Sequence, residues 1–275
     1  MLYIGTSGFS YQDWVGPFYP KNTQKGEMLP LYARQFNAVE INSSYYRIPP
    51  ASVFYHLQRK VPDSFKFSIK ANQEITHVRG INPSILQEFK MSLEPLLNSG
   101  KLGCILAQFP YSFHYSKANQ DYLRYLKENI GDIPLIVEFR NAYWAKEEVF
   151  NFLRKNEIGF CTVDQPSLVG LLPPLAEATS RLGYIRFHGR NKEKWWQHEY
   201  AYQRYDYLYN EQELKEWVPK IKQVTDKTTD QYIFMNNHYK GKAVKNALML
   251  MDLLRQEIRP TIIKDHTKKD MRDTN

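Results

Sequence analysis

Eight short β-rich runs recur along the chain, and stretches with helical periodicity lie between them. The runs cover residues 3–7, 38–42, 65–70, 104–108, 134–140, 159–164, 183–188 and 231–236. Divided among eight runs, the chain allows about 34 residues for each, which is the length of one strand with its helix and connections. Since the chain has 275 residues, this repeat predicts an α/β fold, a single (β/α)8 TIM-like barrel.

An open, doubly wound sheet is the alternative to the barrel. The glycine-containing turn at residues 5–8 does not have the G-x-G-x-x-G spacing of dinucleotide folds, nor the G-x-S-x-G spacing of a nucleophile elbow. The link after the sixth run contains Pro166, Pro173 and Pro174 and is a weak candidate for a helix. We predict one barrel domain over residues 1–258 and a polar, frayed tail over residues 259–275.

Composition narrows the class of protein. Hydrophobic residues make up 43% and charged residues 24% of the chain, which is typical of a globular domain. No run approaches the roughly 18 apolar residues that a membrane helix needs, so we expect no membrane partner. Cys104 and Cys161 lie in apolar runs and are expected to be free thiols in a cytoplasmic protein. The net charge of +8 favours anionic partners, and the oligomeric state stays open.

Side chains alternate along a strand, so the residues of each run separate into two faces. In a barrel the outer face packs under helices and is apolar, which leaves the polar set to point inward near the carboxyl ends of the strands. This reasoning predicts an inward cluster of ionisable groups and, within it, four candidate catalytic residues. They are Glu40, Glu138, Asp164 and His188.

A purely structural interpretation of the cluster is a network whose acids and bases neutralise each other. Such a network is a poor source of stability, because apolar layers would fill a barrel better. A functional site is therefore the favoured interpretation. Carboxylates with unequal partners have pKa values pushed apart, which suits them to act as an acid and a base.

Aromatic and basic residues surround the cluster. The loop after the seventh run, residues 190–209, contains two tryptophans and five tyrosines among basic residues, and aromatic planes beside cations suit nucleobases, sugars or aromatic ligands. Phosphate sites of such barrels often lie after strands seven and eight. The predicted ligand-binding residues are Asn42, Lys70, Gln108, Arg140, Arg186, Arg190, Trp195, Tyr205, Asn236 and Asn237.

A metal site is only weakly indicated. His77, His188 and His238 follow strand ends, but the sequence has no H-x-x-x-H motif and no close pair of cysteines. The cations of the same cluster would repel a divalent ion. We therefore predict no metal and no cofactor.

A series of distinct short motifs follows in order along most of the chain. They occupy residues 5–11, 39–46, 65–67, 76–77, 106–110, 138–140, 186–190, 205–209 and 236–238. As a set they resemble the YecE-like family, a domain of unknown function (number seventy-two), over residues 2 to 255. The resemblance implies a TIM-barrel-like fold and no established reaction. Its members are reminiscent of barrel endonucleases and sugar isomerases, which is fold analogy and carries little weight for chemistry.

Two functional hypotheses follow. In the first, the protein binds a phosphorylated or otherwise small anionic ligand at the barrel mouth and catalyses hydrolysis or isomerisation, with arginine forks holding the anion. In the second, it binds nucleic acid, with or without cleavage, through its basic charge and aromatic loop. Steep salt dependence would mark the second hypothesis. A catalytically inert barrel that only binds a partner is a third possibility, but it leaves the inward charges without a purpose.

Overall fold

The computed structural model describes residues 1–80 and 83–257. Eight parallel strands form one sheet in the order β1-β8-β7-β6-β5-β4-β3-β2. The strands are β1 Leu2–Thr6, β2 Ala38–Ile41, β3 Lys66–Lys70, β4 Leu102–Gln108, β5 Leu135–Glu138, β6 Ile158–Asp164, β7 Leu182–Phe187 and β8 Asp230–Met235. The predicted (β/α)8 barrel is confirmed. The tail predicted at residues 259–275 lies outside the described residues.

The barrel is nearly closed between β1 and β2. Just past the end of β1, the backbone N–H of Gly8 donates to Glu40 O at 2.7 Å. Below that contact, the Tyr32 hydroxyl accepts from Thr6 N at 2.8 Å and donates to Ala38 O at 3.1 Å. A buried side chain from the first helix therefore completes the hydrogen bonds that the two strand edges would otherwise lack.

Helices cover the outside of the barrel. They are α1 Lys25–Tyr32, α2 Ala51–Gln58, α3 Pro83–Asn98, α4 Lys117–Ile130, α5 Glu147–Lys155, α6 Glu211–Lys215, α7 Val218–Thr225 and α8 Lys242–Glu257. Residues 165–181, all of which the structure describes, connect β6 to β7 without a helix, as the three prolines of that link suggest. None of the described helices is both long and apolar enough to cross a membrane.

The loops at the carboxyl end of the barrel are fixed by aromatic packing. Phe139, which follows β5, stacks on Trp144 with ring centroids 4.0 Å apart, and the Trp144 indole donates to Phe113 O at 2.6 Å. In the loop after β7, Gly189 has a φ of +89°, and a Cβ there would lie 2.7 Å from the Cβ of Tyr207. These contacts give the mouth of the barrel defined walls.

Candidate functional site

A buried arginine joins two carboxylates inside the barrel. Arg186 of β7 donates from Nη2 to Glu40 Oε1 at 2.7 Å and from Nη1 to Glu138 Oε2 at 2.6 Å. The arginine is 2% exposed and both glutamates are fully buried. Strands β2, β5 and β7 therefore contribute one charged side chain each to a single cluster, as the alternation of side chains predicted for these three strands. We call these three residues the central cluster.

Glu138 has further partners and stays ionised. Arg140 Nη2 lies 3.0 Å and His188 Nε2 lies 3.1 Å from Glu138 Oε1. Burial alone would raise the pKa of Glu138, but Arg186 and then Arg140 hold that pKa well below its usual range. Both carboxylate oxygens are thus occupied by cationic or neutral donors, and no proton is held there near neutral pH.

His188 is held in its neutral form. Burial, followed by the charge of Arg140, lowers the pKa of His188 to about 3. Asn236 Nδ2 lies 3.0 Å from His188 Nδ1, so the amide donates to this nitrogen while the Nε2–H donates to Glu138. This tautomer makes His188 a fixed donor to the carboxylate.

Lys70 is a cation of the mouth whose direct partners are uncharged. Its Nζ donates to Gln108 Oε1 at 2.9 Å and lies 4.3 Å from the centre of the Tyr45 ring. Burial, followed by the positive charge of Arg186, lowers the pKa of Lys70 to about 7. Lys70 therefore titrates close to neutral pH at the end of β3.

Two cavities open above the central cluster. The larger has a volume of about 630 Å³ and the smaller about 310 Å³. Tyr45, Lys70, Arg140 and Tyr205 line both of them, so the cavities adjoin at these four side chains. We call them the large and the small compartment.

The walls of the two compartments differ in character. Three lysine or arginine side chains line each compartment, together with asparagines and aliphatic side chains in the large one and with two tryptophans in the small one. The large compartment includes Phe9, Tyr11, Asn42, Tyr46, Arg186, Tyr202 and Asn236. The small compartment includes His77, Gln108, Tyr111, Trp195, Trp196 and Arg204. Among the described residues, neither wall contains an aspartate or a glutamate.

Asp164 lies outside the barrel, so the expectation that it joins the inward cluster is wrong. The Sγ of Cys161 in the same strand lies 3.8 Å from Glu138 Oε2, which places the odd-numbered residues of β6 inside. Asp164 instead accepts from Arg190 Nη2 and from Trp217 Nε1, both at 2.7 Å, and from the Tyr209 hydroxyl. Donors from the segment after β7 satisfy this carboxylate on the helix side of the wall.

Two predicted ligand-binding residues lie on that outer side as well. Arg190 pairs with Asp164 and is within 3.4 Å of Glu213, and it lines neither compartment. Asn237 donates to Tyr207 O and to Asn246 Oδ1, both at 2.8 Å. The expectation that these two residues face the mouth is wrong, because they anchor the loop after β7 to the outer layer.

The other predicted residues come together. Glu40, Glu138 and His188 form the floor, and the remaining predicted ligand-binding residues line a compartment. These are Asn42, Lys70, Gln108, Arg140, Arg186, Trp195, Tyr205 and Asn236.

Sequence reasoning did not single out Arg204. Its Nε donates to Trp195 O at 2.8 Å, and its guanidinium lies 5.4 Å from the Trp195 ring centre. His77, weighed only as a metal ligand, lines the small compartment from a π-helix at Glu74–Val78. The sequence signal that could have identified Arg204 was its place in the aromatic loop. For His77 the signal is structural, because π-helices are frequent at functional sites. Within residues 1–80 and 83–257, no group of three or more His, Cys, Asp or Glu side chains is placed to hold a metal ion.

Comparisons with known proteins agree with the sequence motifs. Residues 3–271 match the profile described as "Protein of unknown function DUF72". The UPF0759 protein YunF of Bacillus subtilis is 34% identical over 270 residues, which cover 92% of this chain and 95% of that protein. A DUF72 family protein of Thermotoga maritima superposes with a TM-score of 0.86 at 40% identity, over 93% of this chain and 99% of that one. Another from Enterococcus faecalis gives 0.85 at 26% identity, over 99% and 100%.

Proposed function

Because the chain belongs to the DUF72 family of proteins of unknown function, we propose its function from the geometry of the barrel mouth. It is an enzyme that binds a small anionic ligand, such as a phosphorylated metabolite, across the two compartments. It converts this ligand by hydrolysis or isomerisation. The cytoplasmic location predicted from its free thiols suits such a metabolite.

The observation that carries this proposal is the charge of the compartment walls. Lys70, Arg140, Arg186 and Arg204 contribute to these walls, and no described acidic residue does. The carboxylates of the central cluster lie beneath and are occupied by Arg186, Arg140 and His188. A cleft that is lined by positive charges and has low-dielectric walls concentrates anionic ligands.

Unused polar atoms support a ligand in the same place. Asn42 Oδ1 and Arg186 Nε are buried and have no hydrogen-bond partner among the described residues, and both side chains line the large compartment. Buried polar atoms are nearly always paired in folded proteins. A ligand with hydroxyl or amide groups would supply the missing partners, while Arg204 and Arg140 in the small compartment hold its anionic group.

Lys70 is the group best suited to move a proton. Glu138 and Glu40, predicted as the acid and base, are both fixed by short bonds to Arg186, and His188 is neutral and hydrogen-bonded on both ring nitrogens. Lys70 has a pKa of about 7 and lines both compartments. A group whose pKa lies near the operating pH is the most effective acid–base catalyst.

Calorimetric titration with glycerol 3-phosphate, and with glycerol as the uncharged analogue, tests the anion site. We expect glycerol 3-phosphate to bind with a Kd of about 1 mM or tighter and glycerol to bind at least tenfold more weakly. Arg204→Met should weaken the binding of glycerol 3-phosphate about tenfold. Arg154→Met, which removes a surface arginine of α5 that pairs with Glu147 and Glu177, is the matched control. Equal binding of the two compounds, or the same loss in both variants, would refute the proposal.

Nucleic acid is the second candidate, and the exposed aromatics at the carboxyl end of the barrel favour it. Tyr46, Tyr143, Trp196 and Tyr200 are each more than half exposed and could stack on unpaired bases. Anisotropy of labelled oligonucleotides across a salt series separates the two candidates. Contacts with many phosphates make the affinity fall by several decades as salt rises, whereas a single anion in the small compartment gives a shallow dependence.

A further inference from the structure

The ε-amino group of Lys70 lies where the two compartments adjoin. Its nearest partners, the Gln108 amide oxygen and the Tyr45 ring, hold the side chain in one position without neutralising it. Lys70 is half-buried in the barrel wall and lines both compartments. A primary amine is thus fixed in place and exposed to a ligand on either side.

The surroundings of this amine favour its uncharged form. Burial disfavours a charge on Lys70, and the guanidinium groups of Arg186 and Arg140, both paired with Glu138, oppose a third positive charge there. With a pKa of about 7, about half of the Lys70 amines are neutral at pH 7, compared with about 1 in 2,500 for an ordinary lysine. The neutral amine is a nucleophile, and desolvated lysines of this kind form imines with carbonyl substrates.

We propose that Lys70 forms a covalent imine with a carbonyl group of the anionic ligand, so that the substrate is a phosphorylated or carboxylated aldehyde or ketone. This inference rests on the proposed function, since the same compartments hold the ligand. The small compartment takes the anionic group beside Arg204 and Arg140, and the carbonyl carbon reaches Lys70 at the junction.

The step balances without an added reagent. The neutral amine attacks the carbonyl carbon, a C–N bond forms, and the carbonyl electron pair moves to oxygen. That oxygen takes the proton released by nitrogen, which gives a carbinolamine. Its hydroxyl then takes the proton that the ammonium form of Lys70 released and leaves as water, and the nitrogen lone pair forms the C=N bond of an iminium ion. The net change is an ammonium and a carbonyl giving an iminium and water.

Two neighbours assist this chemistry. Tyr45 lies under the Lys70 nitrogen, so its ring stabilises the iminium charge as it stabilises the ammonium. His77 lies beside Tyr45, with ring centroids 5.1 Å apart, and lines the small compartment. Burial, then the charge of Lys70, lowers the pKa of His77 to about 4, so it is neutral at pH 7 and can accept and return the proton that the carbinolamine exchanges.

Reductive trapping tests the proposal. The full-length protein is incubated with pyridoxal 5′-phosphate, an aldehyde with a phosphate, and reduced with cyanoborohydride, and the modified lysines are identified by peptide mass spectrometry. At pH 7 we expect Lys70 to be modified at least about tenfold faster than surface lysines, because of its larger neutral fraction. Its rate should level off above about pH 7, whereas the rates of surface lysines keep rising.

Lys220 provides the matched comparison within the same sample. Its Nζ lies 4.7 Å from the centre of the Trp217 ring, and it lines neither compartment. Lys70→Arg retains a cation but cannot form an imine, so it should abolish the fast modification, whereas Lys220→Met should not. Modification of Lys70 no faster than that of Lys220 overturns the imine.

Competition by inorganic phosphate separates the two proposals. If phosphate slows the modification of Lys70, the imine and the anion site are both supported. If Lys70 is modified quickly and phosphate has no effect, the imine stands and the anion site fails. If glycerol 3-phosphate binds but Lys70 is not trapped, the anion site stands and the imine is overturned.

Discussion

Two arginine–carboxylate clusters lie on opposite sides of the same barrel wall. Inside, Arg186 joins Glu40 and Glu138 beneath the open compartments. Outside, Arg190 pairs with Asp164 under the helical layer. Both involve strand β7 or the turn that follows it, and both are rich in short hydrogen bonds, but only the inner cluster borders the two compartments described above.

The difference lies in what completes each cluster. The two oxygens of Asp164 are saturated by Arg190, Trp217 and Tyr209, so the outer cluster ties the loop after β7 to the wall. The inner cluster lies next to Lys70, whose direct partners are neutral, and it leaves the Nε of Arg186 without a partner in the described part of the chain. Buried charge indicates a site only where the protein leaves it incompletely satisfied.

The largest contrast is expected from removing each arginine. Arg186→Met leaves two fully buried carboxylates without their main partner, so the free energy of unfolding should fall by about 3–5 kcal/mol. Arg190 is partly exposed, and Asp164 keeps its bonds to Trp217 and Tyr209, so Arg190→Met should cost about 1–2 kcal/mol. Guanidinium chloride unfolding at pH 7 measures both variants. Equal losses would show that the two clusters do not differ energetically.

Asp164→Asn separates stability from binding. Replacement of one carboxylate oxygen by an NH2 group removes the negative charge that strengthens the hydrogen bonds from Arg190 and Trp217. This should lower the free energy of unfolding by about 2–3 kcal/mol. Binding of glycerol 3-phosphate should change by less than about twofold, since Asp164 lines neither compartment. A loss of phosphate affinity without a loss of stability would return Asp164 to the candidate site.

The sequence predicted the barrel because the strand–helix repeat is regular, and it predicted the central cluster because β2, β5 and β7 carry a polar set on one face. It misplaced Asp164 because both faces of β6 hold plausible inward residues: Cys161 and Val163 on one, Thr162 and Asp164 on the other. The Trp217 indole and the Tyr209 hydroxyl, which both donate to Asp164 from the segment after β7, are the contacts that place the Asp164 face outside. Those contacts join residues 45 and 53 positions apart, beyond what periodicity can specify.

The compartments themselves were less predictable. The rich aromatic content of residues 190–209 indicated a ligand-binding loop, but it did not show that Trp195 is buried while the neighbouring Trp196 is half exposed. Arg204 was one cation among several in that loop. Its place in the small compartment depends on the bond to Trp195 O, a loop contact with no sequence signature.

His188→Gln tests the inner cluster by pH. The pKa of His188 is about 3 in the folded protein and about 6.5 in the unfolded chain. A depressed folded pKa means that the stability due to neutral His188 is complete above pH 6.5 and is lost as pH falls toward 3. Between pH 7 and pH 5 this loss is about 2 kcal/mol. Glutamine does not titrate, so the variant should lose about 2 kcal/mol less over that interval in chemical unfolding. The same loss in both proteins would mean that His188 is not held neutral.

Lys70→Met should give the smallest change and the most specific one. Because Lys70 is one of the two cations that line both compartments, its loss should weaken glycerol 3-phosphate binding about tenfold, or about 1.4 kcal/mol. Stability should not fall with it. The pKa of Lys70 is lowered in the folded state, so folding opposes its charge, and methionine removes that cost.

The lowered pKa of Lys70 also determines how the free energy of unfolding changes with pH. The wild-type protein should gain stability as pH rises from about 7 toward 10, where the unfolded chain still holds the proton that folded Lys70 has lost. The advantage of Lys70→Met should therefore be largest below pH 7 and shrink above it, in unfolding curves recorded across this range. A residue kept at a cost to stability is typical of a functional site. If Lys70→Met were destabilised by several kcal/mol and bound glycerol 3-phosphate normally, the role of Lys70 would be structural, like that of Arg190 and Asp164.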